Sequence, residues 1–375
     1  MFRRLLPAVT AACSILALTS PAAHATRTSG PTAIVSLGDS FISGEAGRWK
    51  GNSIVSTTDR AGTDRAWTGT GYDPSRIYGA SEATGCHRSD VAEVQSTTTS
   101  LQTKANLACS GAVTANIFRP SNGGQDQKGE ANQAQKLKYV AQVDNVKVVV
   151  LSIGGNDLGF ADIIVACGEA YAAKTGPCNP SQQQVVNSRR SAAFNGVAKA
   201  IREVRAVMAA AGYRADDWRF IVQSYGSPVP RANEARYSEI DPQRESTGGC
   251  PFYDADLNWA RDSLVKQISD GLKYVAISEG AEFLDLHDSL QGREVCATAS
   301  RQATLTDPPS GSTSEWARFL SLNLAQGEVQ ETLHPNFYAQ QALGRCLTLA
   351  VDAGPGTGSC RPTPGQGPGG MVYTR

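Results

Sequence analysis

The chain has 375 residues, with 35 basic against 35 acidic side chains and 41% hydrophobic residues. An even balance excludes a partner chosen by bulk charge, so neither nucleic acid nor an anionic surface is favoured. The length is large for one domain but ordinary for an enzyme domain carrying long inserted loops.

A leader comes first. Arg3 and Arg4 precede a mostly small, apolar run over 5–18, and Ala23-His24-Ala25 has the small-x-small form that signal peptidase cuts. Residues 1–25 read as a secretory signal peptide, and removing Arg3 and Arg4 leaves the acidic residues two ahead. The apolar run is shorter than the ~20 residues that span a bilayer, and no second run follows. A secreted, extracellular, monomeric chain with no integral membrane segment is the expectation.

Of 9 cysteines, Cys13 falls in the leader; Cys86, Cys109, Cys167, Cys178, Cys250, Cys296, Cys346 and Cys360 remain. An even number in an exported chain argues for disulfides throughout. No C-x-x-C or H-E-x-x-H spacing occurs, so no metal site is expected. Eight cysteines allow on the order of 100 pairings. Pairing sequence neighbours, Cys86 with Cys109, Cys167 with Cys178, Cys250 with Cys296 and Cys346 with Cys360, closes the shortest loops.

After the leader, short apolar runs at 33–37, 104–108, 146–153, 219–223 and 282–286 predict strands. Amphipathic stretches at 183–211 and 255–279 predict long helices between the later ones. This alternation predicts an α/β fold, a three-layer α/β/α sandwich around a mostly parallel sheet of about five strands. Loops after the strands then share one edge, where open α/β sheets bind ligands. An insert over 44–85 holds Trp49, Trp67, Tyr72 and Tyr78, which argues against disorder. A second insert spans 290–329. The main domain is expected over 26–352, followed by a Gly- and Pro-rich flexible tail over 353–375. Within that tail, residues 365–370 match G-x-G-x-x-G, but with no strand expected before it and no helix after it the match is a false one.

Four blocks fall on the same sheet edge: Gly38-Asp39-Ser40, Cys109-Ser110-Gly111, Gly154-Gly155-Asn156-Asp157, and Glu331-Thr332-Leu333-His334-Pro335-Asn336. A serine hydroxyl is a weak nucleophile until an imidazole takes its proton, and beyond the leader only His87, His287 and His334 could do so. His334 sits before a proline that would set its ring on a rigid turn; His287 is the reserve, and His87, beside Cys86, reads as structural. Singly, Ser40 would be a helix cap, Gly111 a turn glycine and Asn156 a turn former. Asp39 reads as orienting its loop and Asp157 as capping the following helix.

The four blocks, in this order, resemble the SGNH or GDSL hydrolase family of esterases and lipases, more closely its secreted, disulfide-bearing actinobacterial members. The resemblance runs from Val35 to about Cys346. It implies a serine ester hydrolase without a cofactor, Ser40 as nucleophile and His334 as base. It further implies an oxyanion hole from the Ser40 and Gly111 N–H groups and the Asn156 side chain. The family's acid is an aspartate three residues before the histidine; here Glu331 stands in its place. A carbonyl of Thr332 or Leu333 could orient the ring instead, leaving a Ser-His dyad. The family's secreted lipases, together with the aromatic residues of the first insert, favour a lipid or phospholipid ester as substrate. A carbohydrate deacetylase of the same fold, or a catalytically silent binding protein, is the alternative.

Overall fold

The apolar runs form the central sheet. In the computed structural model, which describes residues 29–320 and 327–375, β1 (Thr32–Gly38) is buried along nearly its whole length. The expected leader over 1–25 lies outside the described residues. Continuous apolarity is what a parallel strand covered on both faces requires. β1 lies between β2 (Thr103–Asn106) and β3 (Asn145–Ser152), and β4 (Arg219–Gln223) and β5 (Glu282–Asp285) follow outward. All these pairs are parallel, with Leu37 opposite Leu151 and Val150 opposite Ile221. Every loop that leaves a strand end therefore opens on one edge.

Helices cover the sheet and give the three-layer α/β/α arrangement. Asn179–Ala210 packs against both Gln133–Val143 and Val265–Ser278, and Phe337–Asp352 packs over the last two strands. Each contributes a buried apolar stripe: Leu137 and Ala141, Val197 with Ile201 and Val204, Ile268 and Leu272, Leu343 and Leu347. The helix expected over 255–279 is interrupted by one π-type turn at Ala260–Leu264. No helix of the described residues is long and apolar enough to cross a membrane.

The sheet has seven strands rather than about five. The segment 353–375, expected to be a flexible tail, supplies β6 (Gly358–Pro362), parallel to β5, and β7 (Met371–Thr374), antiparallel to β6. Composition hid them because glycine is used for close approach: a Cβ on Gly358 would lie 2.3 Å from the Tyr373 ring. β6 is anchored by buried Cys360, bonded to Cys346 of the helix Phe337–Asp352. A strand thus does precede the G-x-G-x-x-G match, contrary to expectation. A single 3-10 turn at Pro368–Gly370 ends the match and β7 follows directly, so no helix N-terminus stands there to cradle a phosphate.

The four disulfides join sequence neighbours: Cys86–Cys109, Cys167–Cys178, Cys250–Cys296 and Cys346–Cys360. Bridges of this kind typically contribute about 2–4 kcal/mol each. Cys86–Cys109 also pins the first insert to the loop that follows β2. Both inserts fold back over the sheet edge, burying Trp49 and Trp316 completely and pairing Ala46 with Asn336 and Ala317 with Pro335.

Candidate active site

Ser40 is presented by a turn that only glycine can make. Gly38 has φ 145°, and a Cβ there would stand 2.0 Å from the Ser152 carbonyl oxygen. Its peptide is gripped by Gln133, whose amide accepts from the Gly38 N–H and donates to its carbonyl, both at 2.7 Å. Asp39 then caps the one-turn helix Ser40–Ser43, accepting from the Phe41 N–H at 3.1 Å. Burial pushes the Asp39 carboxyl up to about 7. Asp39 orients the loop, as its position implied.

His334 faces Ser40 across 294 residues of sequence, with Nε2 2.6 Å from the serine Oγ. Its Nδ1 lies 3.0 Å from the Thr332 carbonyl oxygen. A carbonyl can only accept, so Nδ1 carries the hydrogen and the Nε2 lone pair is left for the serine proton. Leu333 holds the turn in the left-handed region at φ 59°, costly for a leucine. The turn is over-determined: Arg318 accepts from the Leu333 N–H at 2.7 Å and donates its own N–H to the His334 carbonyl at 2.9 Å. Burial lowers the imidazole pKa, and the charge of buried Glu45 works against that shift.

Glu331 does not take the acid's place. Its carboxylate accepts from Trp49 Nε1 at 2.8 Å, from the Tyr78 hydroxyl at 3.0 Å and from the Glu328 N–H at 3.1 Å, not from His334. It is buried beneath the His334 turn, where desolvation raises its pKa and the charges of Arg48 and Arg318 oppose the rise. Of the two arrangements considered for the ring, the backbone carbonyl is the one the geometry provides.

Of the oxyanion candidates, Ser40 and Asn156 line one cavity, and Gly111 is not among its lining residues. Asn156 lines the same cavity as Ser40 and His334 and is anchored by Nδ2, which donates to the Ala112 carbonyl at 2.9 Å. A primary amide has a second N–H to offer. Gly111, at φ 79°, is the neighbour of Ala112, so the loops after β2 and β3 are tied together. Among the described residues no backbone acceptor takes the Ser40 or Gly111 N–H. Asp157, expected to cap a helix, instead accepts from the Thr114 N–H at 2.9 Å and hydroxyl at 2.6 Å, a second tie between these loops.

The other histidines lie elsewhere. His287 follows β5 but packs on Arg261, its Nε2 donating to the Arg261 carbonyl at 2.9 Å, and is absent from the cavity of Ser40. His87 pairs with Glu45 at 2.7 Å and stacks on Tyr78, a structural place. Sequence reading missed Gln340, fully buried, whose amide donates to the Phe41 carbonyl at 2.9 Å and the Pro335 carbonyl at 3.4 Å. It clamps the residue after the serine to the residue after the histidine. Cys167, Cys178 and Asp256 come within reach of one another, but the sulfurs are bonded and the carboxylate caps Cys178 and Asn179, which leaves no thiolate for a metal.

The cavity at Ser40 holds about 410 Å³. Its walls are apolar: Phe160, Ile164, Val165, Gly168 and Ala172 along the helix Phe160–Ala172, with Val265, Ile268, Leu320 and Val329 facing them. It runs along that helix for roughly 18 Å at ~1.5 Å rise per residue.

No family model and no curated protein matches the chain. Among solved structures it is similar to a phospholipase A1 from Streptomyces albidoflavus, with TM-score 0.50 and 19% identity over 86% of this chain and 99% of that one. An extracellular lipase from Streptomyces rimosus aligns with TM-score 0.45 and 20% identity, covering 85% and 99% of the two chains. A carbohydrate acetylesterase from Sinorhizobium meliloti aligns with TM-score 0.36 and 13% identity, covering 86% and 99%. The first likeness shows a shared fold.

Proposed function

We propose that this chain is a secreted serine ester hydrolase that cleaves acyl esters of lipids through a Ser40–His334 dyad. The observation that carries the reading is the 2.6 Å contact between the serine hydroxyl and His334 Nε2 at the wall of a deep apolar cavity. In the first half-reaction the Ser40 oxygen bonds to the ester carbonyl carbon while its proton passes to Nε2. The carbonyl oxygen becomes an oxyanion, met by the Ser40 and Gly111 N–H groups and by Asn156. Collapse breaks the ester bond, and His334 returns the proton to the leaving alcohol. Water then repeats the sequence on the acyl-enzyme and releases the carboxylic acid. Throughout, Nδ1–H remains with the Thr332 carbonyl. The steps draw on side chains, backbone and water alone.

The apolar walls favour a long acyl chain over the acetyl group of a carbohydrate ester, since each buried methylene is worth about 0.8 kcal/mol. Four disulfides and the leader-like start of the chain support export. Activity on 4-nitrophenyl esters of increasing acyl length tests the substrate class. kcat/KM is expected to rise from acetyl to longer chains; a maximum at acetyl would return the deacetylase.

A further inference from the structure

Three neighbouring strands end beside the serine: β1 leads to Asp39 and Ser40, β3 to Gly155 and Asn156, and β4 to Tyr225. The Tyr225 hydroxyl lies where they meet. It donates to Asp39 Oδ2 at 2.5 Å and accepts from the Gly155 N–H at 3.1 Å. A phenol has one hydrogen to give and lone pairs to receive, so both capacities are engaged. Burial and the neighbouring Asp39 hold the phenol well above its usual range, which keeps the hydrogen on the oxygen. The ring rests edge-on against Phe41 at 5.3 Å. Gly155 permits the approach: a Cβ there would lie 3.2 Å from Tyr225 Cζ and 3.3 Å from its oxygen.

Asn156 is consequently held at two points, by its own amide on Ala112 and by the preceding N–H on Tyr225. The second point is the one that refers the loop to the serine turn, because the same oxygen bonds Asp39. We propose that Tyr225 is a positioning residue whose hydroxyl sets the Gly154–Gly155 peptide, and with it the turn that carries Asn156, against the Asp39–Ser40 turn, so that the Asn156 amide and the Ser40 N–H converge on one oxyanion. This rests on the ester-hydrolase reading given above. Ring packing alone would be served equally by phenylalanine.

The test is steady-state hydrolysis of a soluble 4-nitrophenyl ester by the full chain and its Tyr225→Phe, Asn156→Ala and doubly substituted variants, each checked for a cooperative melt. Tyr225→Phe is expected to lower kcat about ten- to a hundred-fold with KM within about twofold, less than the ~10²–10³ that losing a whole oxyanion donor costs. The double variant should be no more than about threefold slower than Asn156→Ala, because both substitutions remove the same contribution. An alkylboronate, which mimics the tetrahedral state, should bind Tyr225→Phe more weakly by the factor seen in kcat. A kcat within threefold of wild type, or losses that multiply in the double variant, would overturn the proposal. Should Tyr225→Phe not fold, Asp39→Ser keeps a cap acceptor for the Phe41 N–H, is too short to reach Tyr225, and carries the same expectations. Wild-type protein without hydrolysis would instead refute the ester-hydrolase reading itself.

Discussion

The two sides of Ser40 are held by different means. On the imidazole side a backbone carbonyl, that of Thr332, faces His334 Nδ1, while the nearest carboxylate in sequence, Glu331, is taken up by Trp49, Tyr78 and the Glu328 N–H. On the side proposed for the oxyanion the loops are tied by side chains: Asn156 to Ala112, Asp157 to Thr114, and Tyr225 to both Asp39 and Gly155. The contrast teaches that spacing from a histidine does not decide what reaches its ring. The turn does: with Leu333 at φ 59°, the Thr332 carbonyl is aimed at Nδ1 and Glu331 is carried beneath the turn.

Substitutions on each side measure that contrast. His334→Ala should remove nearly all turnover with the fold retained, because base and nucleophile act as one unit; a tenth of wild-type kcat would break the imidazole side of the account. Asn156→Ala should lower kcat by about 10²–10³, the usual worth of one oxyanion donor. A loss below threefold would leave the oxyanion side without its main side-chain donor. Glu331→Gln should stay within about threefold. The glutamine oxygen can accept from Trp49 and Glu328, and its NH₂ can donate to the Tyr78 oxygen once that hydroxyl turns its one hydrogen to the Glu45 carbonyl, which it also faces. Loss of an orienting carboxylate in a serine protease costs about 10⁴, so a hundredfold drop in a folded Glu331→Gln would return the acid's role to it.

Proton linkage sharpens the same comparison. His334 must be neutral to accept the serine proton, and burial lowers its pKa from 6.5. The acid limb of kcat/KM should therefore have its midpoint below 6.5, and Glu45→Gln, by removing a charge that favours the imidazolium, should move it further to acid. A midpoint above 6.5 would contradict this. The smallest effect concerns stability beneath the site. Glu93, fully buried against Gln223, has its carboxyl pushed up to about 7 from 4.5 by desolvation. Its folded pKa is raised, so its contribution is present below about 4.5 and is lost as pH rises through about 7. Glu93→Gln should thus raise Tm by roughly 3–6 °C at pH 8, about 3 kcal/mol of linkage at ~1–2 °C per kcal/mol for a chain larger than the usual domain, and change it little at pH 4.5. Equal shifts at both pH values would refute the linkage.

Much of this arrangement was readable from sequence. Strands β1, β3 and β4 carry continuous apolar runs, β2 and β5 only short apolar pieces, and the blocks carrying Ser40, Gly111, Asn156 and His334 each follow a strand or a turn with its own local signature. β6 and β7, the last two strands at one end of the sheet, were not readable, because strands half exposed to water need few apolar residues and here use glycine for closeness. Tyr225, Gln340 and Glu45 left no local signal either. Each acts by bridging segments brought together only by the parallel sheet and the folded inserts, as Tyr225 reaches Asp39, 186 positions before it. Glu331 misled for the complementary reason: its spacing matches an acid, and only the conformation of Leu333 shows otherwise.

The central claim, that Ser40 is a nucleophile activated by His334, is tested most directly by treating the full chain with an alkyl fluorophosphonate and locating the adduct by peptide mass spectrometry. The account predicts one adduct per chain, on Ser40, absent from Ser40→Ala and formed far more slowly by His334→Ala. A folded protein that takes no label, or takes it on another residue, would contradict it.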